Sequence, residues 1–438
     1  MKRLLRFGRE FVSPFTFLLM VVSFVTSCRE AHSTPEKSVL SPCTLAMTSQ
    51  SGDDTLARDI AHWQQQARSE KSQVRAMSLE QLGWKFIEKA RASYDPGYLK
   101  LAEACAACLQ SQQTHPLPEA MLLQGHALHQ MHKFKEAEPV ARALVKARGL
   151  SFDYGLLGDV LMEQGKLPAA TEAYQEMMNQ KPNLQAYSRA AHIRWLQGDL
   201  TGAAKLAGMA AGAGSPNDRE ATAWAYSRLA FYLWQLGQSE KATQALRIAL
   251  EIQPDYAPAL LIKGRLLLSE TQFNSAVDVL QQAAQRNPLP DYEWTLAEAL
   301  RAAGQPEHAA QVESRLMAKG AQDDPRTLAL YLATRREQPD VAYRLAQAEL
   351  QARADVFTYD ALAWASFAAG KFTEAQTAMR QALIAGTNDP RLLYHAAVIA
   401  QQSGQPRAAR HYCQQAYVNR HLLLPSEQAG LLKLMTAG

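Results

Sequence analysis

The 438-residue chain sets 46 Lys and Arg against 42 Asp and Glu, with 47% apolar residues and five cysteines. Lys2, Arg3, Arg6, Arg9 and Glu10 supply three of its four net positive charges, so the remainder lacks the basic footprint of a nucleic-acid binder. No zinc-protease His-Glu-x-x-His, no Gly-x-Ser-x-Gly elbow and no Walker loop occurs, so the chain reads as a non-enzyme with no cofactor.

Residues 1–27 predict a secretory signal peptide: a basic start, then an apolar run from Phe11 to Val25. That run is shorter than the roughly 20 residues a membrane-spanning helix needs. Val25-Thr26-Ser27-Cys28 resembles the bacterial lipobox, in which small residues precede a cysteine that becomes lipidated. Cys28 would then anchor the protein in the cell envelope, on the extracytoplasmic, periplasmic side of a membrane. Ordinary cleavage near Ser27, leaving Cys28 free, is the alternative. Residues 28–54, rich in Ser, Thr, Pro and Gln, predict a flexible tether.

From 55 to 75, the spacing Leu56, Ile60, Trp63, Ala67 predicts an N-terminal cap helix. Residues 76–117 form a divergent helical pair with Leu82 and Gly83 at its first packing sites. Within it, Cys105-Ala-Ala-Cys108 has redox spacing but no βαβ context. Helix packing is the reading adopted; an intrahelical disulfide and metal capture are the alternatives.

Residues 118–423 repeat nine times. In units starting at Pro118, Ser151, Leu184, Ala223, Ala257, Pro290, Asp323, Val356 and Pro390, position 20 is always alanine, from Ala137 to Ala409. Position 8 is Gly or Ala in every unit but the one holding Leu330. A small residue at 8 facing one at 20 lets two antiparallel helices approach closely. Gly165, Gly198, Gly237, Gly304, Gly370 and Gly404 break the chain between the helices at one shared position. Ser426 follows Pro425 as the predicted N-cap of a C-terminal capping helix in 424–438.

The period of about 34 residues and the pattern of Ser151 to Pro182 (Tyr154, Leu157, Gly158, Leu161, Ala170, Tyr174) identify the repeats as members of the tetratricopeptide repeat (TPR) family. Two segments, Leu82–Cys108 and Leu184–Ala230, resemble a branch of bacterial TPR lipoproteins, which implies no particular activity. The resemblance implies an all-α fold, a right-handed α-solenoid of antiparallel helix pairs. It further implies that positions 2, 5, 9 and 12 of each first helix line a concave, ligand-binding surface.

Six of the seven tryptophans fall on that stripe, namely Trp84, Trp195, Trp224, Trp234, Trp294 and Trp364. Phe231, Tyr331 and Phe367 join them, as do Arg265 and Glu298. Large rigid rings provide contact area at low entropic cost, so the stripe predicts a groove for a protein or peptide partner. An envelope glycan is the alternative ligand. The bland alternative is that the rings pack between neighbouring helices as a second core. His126 and His129 share a helix face and are weak candidates for a metal pair, lacking an obvious third ligand. Oligomeric state is not legible in the chain.

Overall fold

The computed structural model describes residues 40–436; Cys28 and the leader lie outside them. Four helices come first: α1 (Pro42–Ala46), α2 (Thr55–Gln66), α3 (Ser72–Ser93) and α4 (Gly97–Ser111). The pairs α5 (Pro118–Gln130) with α6 (Phe134–Ala147), α7 (Ser151–Glu163) with α8 (Leu167–Gln180) and α9 (Leu184–Leu196) with α10 (Leu200–Gly212) follow. Next are α11 (Arg219–Gln235) with α12 (Ser239–Ile252), α13 (Ala257–Ser269) with α14 (Phe273–Arg286) and α15 (Pro290–Ala302) with α16 (Pro306–Asp323). The last three are α17 (Pro325–Arg335) with α18 (Pro339–Ala352), α19 (Val356–Ala368) with α20 (Phe372–Leu383) and α21 (Pro390–Gln402) with α22 (Pro406–Val418). A short 3-10 turn (Arg420–Leu422) leads to α23 (Pro425–Thr436). The chain is an all-α solenoid of antiparallel helix pairs.

Every position-20 alanine is buried, as close packing of the pairs demands. Position 8 works differently from the expectation. A Cβ on Gly158 would overlap the Tyr174 ring on α8, whereas one on Gly125 would overlap Leu156 of the next first helix. The small residue therefore makes room for a large neighbour, not for another small one. Gly165 and Gly198 turn the chain with φ of 72° and 79°, a region open to glycine at little cost. His132 and Thr271 occupy the same turn position with φ of 57° and 60°.

Three boundaries differ from expectation. The long step between the third and fourth units is partly absorbed by α11, which starts at Arg219 rather than Ala223. The seventh unit starts late because α16 continues to Asp323 before Pro325 opens α17. Ser426 lies inside the first turn of α23 and donates its hydroxyl to Glu298 at 2.5 Å instead of capping the helix.

The described part of the expected tether is also corrected. Cys43 is disulfide-bonded to Cys108, pinning α1 against α4. Ala46 is fully buried there, and Gln64 of α2 donates to the carbonyls of Ala46 (3.2 Å) and Thr48 (2.8 Å). Cys108 thus pairs outside its own helix, while Cys105 stays a buried free thiol whose pKa is raised by burial. Spacing alone could not show this, because the partner sits 65 residues earlier in a polar stretch.

Later units return past earlier ones. The Ala354 amide donates to the Glu163 carbonyl at 3.0 Å, and Thr387 Oγ1 donates to the Leu196 carbonyl at 2.6 Å. The His421 ring meets the Trp234 carbonyl at 3.2 Å. An ion pair of 2.7 Å between Arg353 and Glu163 lies on the same seam. The first helices of the early units are thereby closed over by the starts of late ones.

Candidate interaction surface

That closure decides the fate of the aromatic stripe. Trp234 and Trp294 are among the largest fully buried side chains, and Trp195, Trp364 and Tyr331 are buried as well. Trp195 stacks on Phe357 across the seam with ring centroids 5.4 Å apart, and its indole donates to Gln235 at 3.0 Å. Trp294 meets Tyr331 edge-on and lies 4.9 Å beneath the Arg391 guanidinium. Trp364 is sandwiched between Phe367 and His395, with centroid distances of 5.3 and 4.1 Å, and donates to Thr334.

Glu298, expected as a groove contact, is buried and accepts from Ser426; burial raises its pKa. Arg265 is half-buried and pairs with Asp291. As an open groove, then, the stripe is corrected at Trp195, Trp234, Trp294, Glu298, Tyr331 and Trp364. Their rings and carboxylate fill an interior, because successive superhelical turns and neighbouring first helices cover them. Phe367 is half-buried beside Trp364, and Trp84 is half-buried against His126.

Two aromatics of α11 remain reachable. Trp224 keeps 37% exposure and Phe231 is half-buried. Between them lies Arg228, which the stripe did not include because it occupies position 6. At i, i+4 and i+7 these three share one helix face. The Arg228 guanidinium sits 4.6 Å from the Phe231 ring centroid and 5.0 Å from that of Tyr232, whose hydroxyl it reaches at 3.1 Å. Arginines elsewhere on the inner wall are neutralised: Arg189 by Asp159 at 2.6 Å, Arg326 by Asp355 at 3.0 Å. Among the described residues no carboxylate pairs with Arg228.

The inner wall beside it is polar and electrostatically tuned. Burial, reinforced by the Arg228 charge, lowers the His192 ring to about 4. Burial lowers His126 to about 3. Asp159 is held below the usual carboxylate range despite burial, because Arg189 and the Tyr174 hydroxyl both bond it. Burial raises Glu163, against the pull of Arg353.

His126 packs edge-on against Trp84, and His129 against Phe134 at 5.4 Å. Among the described residues no group of three or more His, Cys, Asp or Glu is arranged to hold a metal ion.

The sequence model of the tetratricopeptide repeat matches residues 122–182 and 361–421, and a second model of the same repeat matches 225–256. No curated protein matches the chain. Similar solved structures include the human IFIT1 dimer with PPP-AAAA, at 13% identity and TM-score 0.46, covering 85% of this chain and 96% of that one. The human IFIT1 dimer with m7Gppp-AAAA matches at 15% identity and TM-score 0.47, covering 83% of this chain and 85% of that one. Helix pairs in this register, matched over three separate stretches by the repeat's own models, make the chain a tetratricopeptide repeat protein, of a family whose members are typically non-catalytic interaction scaffolds.

Proposed function

We propose that this protein holds an extended or helical segment of a cell-envelope protein on the inner face of α9 and α11, while a lipid on Cys28 anchors it outside the cytoplasm. The carrying observation is Arg228, a cation without a counter-charge among the described residues, set between exposed Trp224 and half-buried Phe231. A guanidinium on aromatic faces is weakly hydrated and offers a planar donor array to an acidic group. The flanking rings supply apolar contact at low entropic cost. The ligand is therefore an apolar segment carrying a carboxylate. A disulfide between Cys43 and Cys108 supports an oxidising compartment.

Crosslinking pull-down from native envelopes, comparing wild type with Trp224→Ala/Arg228→Gln, tests this reading. Loss of one protein partner in a folded double variant supports it. An unchanged partner list removes the site from α11. Retention on peptidoglycan that the double variant loses, without a protein partner, would replace the peptide with a glycan.

A further inference from the structure

The N-terminal edge of the solenoid carries three cysteines in two chemical states. Cys43, half-buried on α1, is bonded to buried Cys108 on α4; Cys105, one helical turn before Cys108, is a fully buried thiol. Little else holds residues 41–54. The helix α1 is five residues long, far below the length at which a helix stands by itself. Only Ala46 of the segment is fully buried, with Leu45 and Met47 partly packed on the core of Ile60, Leu82 and Phe86. Two hydrogen bonds from Gln64, one from Arg58 to the Asp53 carbonyl and an ion pair of 2.7 Å between Lys89 and Asp54 complete the attachment, and residues 51–54 are exposed. The covalent bond is therefore the principal tie.

We propose that Cys43–Cys108 is a reversible clasp, opened by a dithiol oxidoreductase, that frees residues 41–54 while leaving the solenoid folded. The accessible end sets the order of events. A thiolate of the incoming dithiol attacks Cys43 Sγ, and Cys108 departs as a thiolate that takes a proton from solvent. The second thiol of the reductant then displaces Cys43 from the mixed disulfide. One protein disulfide becomes two thiols, and the dithiol becomes its own disulfide. Cys105 takes no part, since it is fully buried and the clasp partner of Cys108 is already in place.

Opening uncovers the ends of α2, α3 and α4 around Ala67, Leu79 and Leu109. If Cys28 carries the anchor, release of these fourteen residues also lengthens the lead by up to about 50 Å, at 3.3–3.6 Å per residue. That consequence rests on the anchoring reading; the clasp and its test do not.

Hydrogen exchange read by mass spectrometry on the disulfide-intact chain provides the test, with and without dithiothreitol and in Cys43→Ser. The amides of Leu45 and Met47, bonded to the Ser41 and Cys43 carbonyls, exchange at least tenfold faster in the reduced protein and in the variant. Exchange across α5 to α22 stays unchanged. Intact-rate exchange of 41–54 after reduction would overturn the proposal. So would acceleration spreading into α5 and α6, which would make the bond a staple of the whole fold. Non-reducing peptide mapping provides the third check: a Cys105–Cys108 link in place of Cys43–Cys108 would also overturn it.

Discussion

Thr387 donates its hydroxyl to the carbonyl of Leu196 at 2.6 Å, across 191 residues of chain. Leu196 ends α9, and the last carbonyls of a helix have no partner within it. The same relation holds one unit earlier, where Ala354 donates to Glu163, the last residue of α7. One unit later the His421 ring meets the Trp234 carbonyl near the end of α11. In two consecutive units, then, an orphan carbonyl is satisfied by a segment five units further on, while the Trp234 carbonyl, which already accepts the Gly237 amide, gains His421 as a second contact. The superhelix is zipped along this seam, and the zipping buries the tryptophans that line its inside.

Replacing Thr387 with Val should expose the energetics of that seam. Thr387 is 3% exposed, so its loss leaves the Leu196 carbonyl buried without a donor. A buried orphan of this kind costs about 1–3 kcal/mol. Urea unfolding should show the loss for Thr387→Val and its recovery in Thr387→Ser. Equal midpoints for wild type and Thr387→Val would mean that water reaches the carbonyl and the seam is open in solution.

Trp234→Ala and Trp294→Ala should each destabilise the fold by about 3–5 kcal/mol, the cost of removing a fully buried large ring. Both rings are at most 2% exposed. Because solenoids unfold in segments, the loss should appear first in the units around α11 and α15. Hydrogen exchange localises it. If both variants keep wild-type protection, these rings are not a core, and a binding role for them returns.

The repeat register was legible in the chain because alanine at position 20 is required in every unit by one local contact. The stripe of tryptophans was equally legible as a pattern. Its burial was not, because exposure of Trp195 depends on Phe357, which stacks on it from a later turn. No window of one or two units contains that information. Likewise His132, Thr271 and Arg336 adopt the left-handed turn that glycine marks elsewhere, so glycine spacing alone missed three of the turns. Cys43 gave no signal of its role, since its partner is chosen by the path of a polar segment.

Stability should fall on acidification well before the carboxylates titrate. His126 and His192 have folded-state values of about 3 to 4, chiefly through burial, against 6.5 for a free ring. The unfolded rings take up protons that the folded ones refuse, so the unfolded state gains as pH drops. Their contribution is fully present above about pH 6.5 and is lost progressively as pH falls toward 3 to 4. Thermal midpoints should therefore be flat from pH 8 to 7 and decline between 6 and 4. Substituting His192→Asn should flatten part of that decline. A midpoint constant down to pH 4 would show the rings to be freely hydrated.

A pair of glycine variants separates the seam from the turn itself. Gly165 and Gly304 occupy the same turn position, with φ of 72° and 75°. Adding a Cβ in this region costs roughly 1–2 kcal/mol at either site. At Gly304 the new methyl meets nothing within 4 Å, whereas at Gly165 it runs into the backbone carbonyl of Ala354 from the next superhelical turn. Backbone atoms cannot rotate aside, so the overlap must be relieved by moving the seam, at an additional cost of about 1–3 kcal/mol. Gly165→Ala should accordingly be the more destabilising of the two in urea unfolding, and it should accelerate amide exchange at Ala354 and around Arg353. Gly304→Ala should leave that exchange untouched. Matching losses in the two variants would place the Ala354 carbonyl away from Gly165 in solution and the turns of the superhelix apart. The burial of Trp195 under Phe357 would then fail with it, since the same seam brings both contacts together.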